Sequence, residues 1–177
     1  MSFSLQVKSV DGLGKFAGYA SVFDVVDNQK DLMLKGAFAD TLKQGVQHIK
    51  LLWQHLQSEP IGVFDRMFED AYGLYVEGRL LLDVQKAKEA HALLKEGAIS
   101  GLSIGYSPVK YRIDNETGVR LLAAVELWEV SLVTFPANAA ANVTVVKSTP
   151  PAKAAVQADL VPLAEMLDKA IHTLVMA

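Results

Sequence analysis

Apolar positions along the first 145 or so residues mostly alternate or crowd into short runs, and only two stretches follow a helical period of useful length. In KFAGYASVF, Lys15 to Phe23, the apolar residues Phe16, Ala20 and Val22 share one parity among β-branched and aromatic neighbours, which predicts a strand. Asp24 to Gly36 carries three aspartates, Asn28 and a glycine and reads as a loop, followed by a short helical stretch from Ala37 to Gln44 before Gly45. From Ile49 the chain becomes extended, and period-two alternation places Ile49, Leu51, Trp53 and His55 on one face. Beyond Pro60, IGVFDRMF and GLYVEGRLLLDV read as two strands joined by the polar turn at Glu69 to Tyr72. Lys86 to Glu96 is the clearest helix, with Ala87, Ala90, Leu93 and Leu94 on one face, Lys88, Glu89, Lys95 and Glu96 away from it, and Gly97 as its stop. From Gly101 to Tyr111 the chain is again extended, turns at Asp114-Asn115-Glu116-Thr117-Gly118, and resumes as a long strand from Val119 to Phe135. This is a mainly β chain with some helix (α+β) and a mostly antiparallel sheet.

The composition changes at Lys147-Ser148-Thr149-Pro150-Pro151-Ala152-Lys153, where paired prolines favour an extended connector. The boundaries that follow are a domain over 1–147, a Pro/Ala linker over 148–156 and an amphipathic helix over 157–177. In that helix Leu160, Leu163, Leu167, Ile171 and Leu174 recur at steps of three and four. Such a face is buried either on its own domain or on a partner.

Charge and composition narrow the chemistry. Lysine plus arginine number 17 against 20 acids, for a net charge of −3, so no broad basic surface exists for phosphates and nucleic acid is not an expected partner. The absence of cysteine among the 177 residues removes disulfides, thiolate metal sites and a cysteine nucleophile together. No basic segment followed by an apolar core opens the sequence, and no run of about 18 apolar residues occurs, so a soluble, unexported protein without a membrane partner is expected.

Serine, histidine and carboxylate chemistry remain. Ser103 stands in Gly101-Leu102-Ser103-Ile104-Gly105, where flanking glycines permit close backbone approach around a reactive hydroxyl, or else mark only a bulge. A serine needs a positioned base. His48, His91 and His172 lie in contexts that look incidental, whereas His55 ends an apolar row beside Leu56-Gln57-Ser58-Glu59-Pro60, a segment that reads as a loop. It suits either a base or a hydrogen-bonded strand cap. In Val125-Glu126-Leu127-Trp128-Glu129-Val130-Ser131-Leu132-Val133 the two acids face opposite ways, and only Glu129 shares the row Val125, Leu127, Ser131, Val133 that should be buried. A buried carboxylate implies a partner. That partner is either a histidine in need of orientation or one of the arginines.

Taken together, LLWQHLQSEPIGVF, GAISGLSIGY and LWEVSLVTFPAN resemble the tailed-phage prohead proteases of the HK97 type. The likeness extends to FAGYASVFDVVDNQKDLMLKGAF and GLYVEGRLLLDVQKAKEAHALLKEG and so covers roughly residues 15 to 145. It implies a β-barrel surrounded by a few helices, similar to the herpesvirus assembly proteases. It also implies a serine endopeptidase with His55 as base and Ser103 as nucleophile. Glu129 falls where the herpesvirus enzymes carry a second histidine. Those enzymes place arginines after this strand to hold the oxyanion, whereas here the chain reads Thr134-Phe135-Pro136-Ala137-Asn138, so backbone amides near Ser103 or another donor must serve. The resemblance further implies no metal or cofactor. Its implied substrates are the scaffold protein or the scaffold-like segment of the major capsid protein, cut inside the immature prohead in the host cytoplasm, and the chain itself. A homodimer is expected by analogy. Two rivals stand beside it. A non-catalytic capsid or scaffold component could use the same barrel, and an α/β-hydrolase esterase would share the GLSIG motif but would require a strand before the serine and a helix after it.

Overall fold

Strands form where β-branched and aromatic residues crowd between turn residues, and the computed structural model describes residues 13–145 of the chain. In order these are β1 (Lys15–Val22), β2 (Asp31–Met33), α1 (Ala39–Leu42), β3 (Lys50–Trp53), β4 (Leu56–Glu69), β5 (Gly73–Leu80), α2 (Gln85–Lys95), β6 (Gly101–Ile113), β7 (Arg120–Val133) and β8 (Val143–Val145). The predicted linker over 148–156 and helix over 157–177 lie outside the described residues.

All eight strands join one sheet in the order β2-β7-β3-β4-β5-β1-β8, with β6 along the other side of β7. Strands joined by hairpins, β3 with β4, β4 with β5 and β6 with β7, are antiparallel, as short connections require. The sheet is nevertheless mixed: β2 and β3 both run parallel to β7. The expectation of a mostly antiparallel sheet holds, since every other pairing is antiparallel, while the expected closed barrel is corrected to a curled half-barrel with these two parallel pairings. The physical reason for the parallel pairing of β3 with β7 is the length of chain between them, which carries β4, β5, α2 and β6, so no short turn forces these two strands to be antiparallel.

The curl brings the β8 end of the sheet back to β6. Leu102 N–H donates to Ala141 O at 3.1 Å, Val143 N–H to Ser100 O at 2.9 Å, and Gly101 bridges Asn142. The 142–143 backbone crosses β1 at Gly18, where any Cβ would overlap Asn142 O.

Two short strands escape the sequence pattern. β2 lies within the predicted Asp24–Gly36 loop, and β8 is too short for an alternation to show. The α2 helix buries Ala87, Ala90 and Leu94 against β4 and β5, but Leu93, expected on the same face, remains 37% exposed. Leu51, Ile61, Leu74, Val76, Leu122, Leu127, Val130 and Leu132 are fully enclosed between the curled sheet and its helices, each stabilising the fold by about 1.5–3 kcal/mol relative to exposure.

Candidate active site

The β3–β4 connection departs from the predicted strand running into a loop. β3 stops at Trp53, Gln54 and His55 both adopt left-handed φ, +52° and +60°, and Leu56 already pairs with Trp53 as the first residue of β4. Two consecutive positive φ values make a two-residue hairpin loop whose twist matches the flanking strands. His55 is therefore not the last member of the Ile49, Leu51, Trp53 row. It sits in the turn itself, and the segment Leu56 to Pro60 belongs to a strand. Non-glycine residues adopt this conformation only when something holds them there. Gln54 N–H donates to Leu132 O at 3.0 Å, and the Gln54 side chain donates to Thr134 Oγ1 at 2.9 Å. His55 N–H donates to Ser131 Oγ at 3.0 Å.

In the β6–β7 ladder Ser103 lies opposite Ser131 and Gly105 opposite Glu129. Opposed residues of an antiparallel pair share a face, so the hydroxyl of Ser103 and the carboxylate of Glu129 project to the same side although they come from different strands. Gly105 makes this possible: a Cβ there would overlap Glu129 Oε1. Glu129 is 9% exposed, while Glu126 faces solvent. One Glu129 oxygen, Oε1, lies 2.6 Å from His55 Nδ1. The other, Oε2, accepts from Ser131 Oγ at 2.7 Å. The buried carboxylate is thus partnered by a histidine and a serine rather than by an arginine.

A carboxylate accepts only, so Nδ1 carries the shared hydrogen and Nε2 is left as the basic nitrogen. Among the described residues no group hydrogen-bonds Nε2. The hydrogen bond to Glu129 raises the imidazole pKa above its ordinary 6.5; partial burial opposes this, and the negative charge on Glu129 reinforces it.

His55 and Ser103 line one cavity of about 300 Å³, together with Ile104, Gly105 and Tyr106 of β6. Ser103 is 6% exposed and His55 about half-buried. The far wall of the cavity is a polar cluster the sequence pattern did not reveal. Asp31, almost fully buried, accepts from Arg120 Nε at 2.7 Å and from Arg120 Nη2 at 2.5 Å, and also accepts the Tyr106 hydroxyl. Burial pushes the Asp31 carboxyl up, but the Arg120 and Tyr106 hydrogen bonds outweigh it and hold the group below its ordinary 3.8. Of the other histidines, His48 is exposed and His91 lies on α2, neither lining this cavity, and His172 lies outside the described residues. Ser131 was legible in part, since it stands two residues from Glu129 in the same strand row. Asp31, Tyr106 and Arg120 carried no such signal, because only β2 lying parallel to β7 brings them together. Among the described residues no group of three or more histidines and acids could hold a metal ion, and no helix is long and apolar enough to cross a membrane.

Comparison with known proteins adds the following. The family pattern described as Caudovirus prohead serine protease matches residues 3–154. The prohead protease of Enterobacteria phage HK97 is 36% identical over 140 residues, covering 76% of this chain and 61% of that protein. The capsid polyprotein of Pseudomonas phage PAJU2 is 38% identical over 107 residues, 56% of this chain and 16% of the polyprotein. This chain therefore spans less than two thirds of either relative's length. Among solved structures, the capsid assembly protease gp21 of bacteriophage T4 superposes with a TM-score of 0.53 at 15% identity, over 67% of this chain and 81% of that one, a likeness of fold.

Proposed function

The chain belongs to the caudovirus prohead serine protease family, and on that premise we propose that it is a serine endopeptidase of capsid maturation in which Ser103, His55 and Glu129 act as nucleophile, base and orienting acid. The observation that carries the reading is the 2.6 Å contact of His55 Nδ1 with Glu129, which turns an unengaged Nε2 into the base of a cavity that also holds the Ser103 hydroxyl.

In this mechanism Ser103 Oγ attacks the scissile carbonyl as its proton passes to His55 Nε2, and Glu129 stabilises the imidazolium so formed. Collapse of the tetrahedral intermediate returns the proton from Nε2 to the leaving amine and leaves an acyl-serine. Water, deprotonated by the same nitrogen, then releases the new carboxylate and restores the hydroxyl. Backbone N–H groups near Ser103 or another donor serve the oxyanion, since the segment Thr134 to Asn138 after β7 carries no arginine. The chemistry requires no metal or cofactor.

The names of the relatives, a prohead protease and a capsid polyprotein, support a capsid precursor or its scaffold as substrate, cut within the immature shell in the infected cell. In this reading residues 1–147 are the protease, the linker at Pro150-Pro151 exposes a region for self-cleavage, and residues 157–177 recruit the enzyme to the scaffold before being lost. The test is coexpression of the chain, or its Ser103→Ala variant, with the capsid precursor and scaffold of the same virus. Shortening of the precursor by the parent alone is the expected outcome on gels and by mass spectrometry. If parent and variant both leave every protein intact while shells still assemble, the chain is a structural component and the peptidase reading fails.

A further inference from the structure

Ser131 is fully buried on β7 and has a single hydroxyl proton to give. Its partners fix where that proton goes. The backbone N–H of His55 can only donate, so Ser131 Oγ accepts there, at 3.0 Å, and its own hydrogen points to Glu129 Oε2, at 2.7 Å. The second carboxylate oxygen meets His55 Nδ1 at 2.6 Å. The result is a closed ring of hydrogen bonds that leaves the His55 main chain, passes through Ser131 and Glu129, and returns to the ring of the same histidine.

From this geometry we infer that Ser131 is a positioning residue of the active site: it locks the left-handed His55 turn to the carboxylate that orients the His55 ring. The inference rests on the reading of His55 as the base. A hairpin turn ordinarily lets its side chains wander, because nothing packs on them. Here the main-chain position of His55 and the place of its acid partner are set by one atom, so they cannot drift apart. The Gln54 side chain, bonded to Thr134, holds the residue before it in the same way.

The titratable groups around the ring are few. Glu129 touches it from β7. Asp27, Asp31, Tyr106 and Arg120 line the cavity it faces, and the last three are bound to one another. The Ser131 hydroxyl bonds only the His55 main chain and Glu129 among the described residues, so it acts on the imidazole through the turn and that carboxylate.

The test uses the full chain with Ser131→Ala and Ser131→Thr. In the active background, Ser131→Ala is expected to lower kcat on a capsid-derived peptide by on the order of 100-fold, the cost of a misplaced catalytic group, with KM little changed. Ser131→Thr, which keeps the hydroxyl, is expected to recover most of that loss. In the Ser103→Ala background, where the chain cannot cut itself, nitrogen NMR of His55 reads the ring directly. The parent is expected to hold its hydrogen on Nδ1 above its pKa, and Ser131→Ala to mix the two tautomers and titrate closer to an ordinary imidazole. A ring that keeps the parent's tautomer and titration point, or titrates higher, overturns the inference, as does kcat within twofold of the parent. Thermal unfolding of each variant separates a loosened site from a lost fold. Because the NMR readout needs no turnover, a coupled ring in a chain that cleaves nothing would sink the proposed function and leave the positioning role standing, and the reverse result would sink only the latter.

Discussion

Gly105 has no side chain because Glu129 occupies the space one would take. In Gly105→Ala the new Cβ meets the end of the Glu129 side chain, which yields by swinging away from His55. Activity is thus expected to fall at least about tenfold, since tenfold corresponds to only about 1.4 kcal/mol of lost transition-state stabilisation, while urea unfolding changes little. The two readouts together check it. A second outcome follows from His55 itself. Its pKa is raised above 6.5 by Glu129, and in the proposed mechanism it must be neutral to accept a proton. The rate is therefore expected to rise with pH through a value above 6.5 and to be lost below it, and a kcat/KM profile flat between pH 5 and about 8 would contradict a histidine base. At this scale the sequence was partly legible. Strand parity singled out Glu129 over Glu126, and the structure places the first inside and the second outside. His55 was reached by a wrong route, as the end of an apolar row, because alternation along Ile49 to Trp53 carries no sign that the strand ends one residue before a left-handed turn.

Among the elements, β2 shows how much three residues can decide. Its Asp31 is fixed by Arg120 of β7 and Tyr106 of β6, so one buried carboxylate ties three strands beside the cavity. Arg120→Met removes the positive partner and leaves that carboxylate buried. A loss of about 2–3 kcal/mol is expected by denaturant unfolding, the low side of the usual range because Arg120 is 35% exposed and water can take over part of its role. Stability equal to the parent's would show that the pair is spectator to the fold. Nothing in Asp24 to Gly36 announced β2, since a run of aspartates and a glycine reads as a loop whether or not its middle pairs with a distant strand. The α2 helix was the opposite case. Its apolar spacing is written in consecutive residues, and the element appears within a residue of its predicted ends.

At the scale of the whole molecule, the curl of the sheet depends on a crossing of backbones at Gly18. In Gly18→Ala the methyl group would overlap Asn142 O, forcing β8 from β1 and straining the strip that joins β8 to β6. A destabilisation of roughly 1–3 kcal/mol is expected, read as a lower urea midpoint, and an unchanged midpoint would show that the closure contributes little. What the sequence determined by itself is local: where the longer strands and the α2 helix run, which acid is buried, and which serine has glycines on either side, because periodicity and side-chain volume act over neighbouring residues. What only the tertiary structure decided is direction and register. The parallel course of β3 beside β7 brings the turn at His55 to Ser131 and Glu129, and the register of β6 on β7 sets Ser103 and Glu129 on one face. The pairings at the site, Gly105 with Glu129, Ser103 with Ser131 and Leu52 with Ser131, join residues more than 20 positions apart, and the course of β3 beside β7 is fixed by contacts that exist only once the sheet has formed, which no local pattern along the chain encodes.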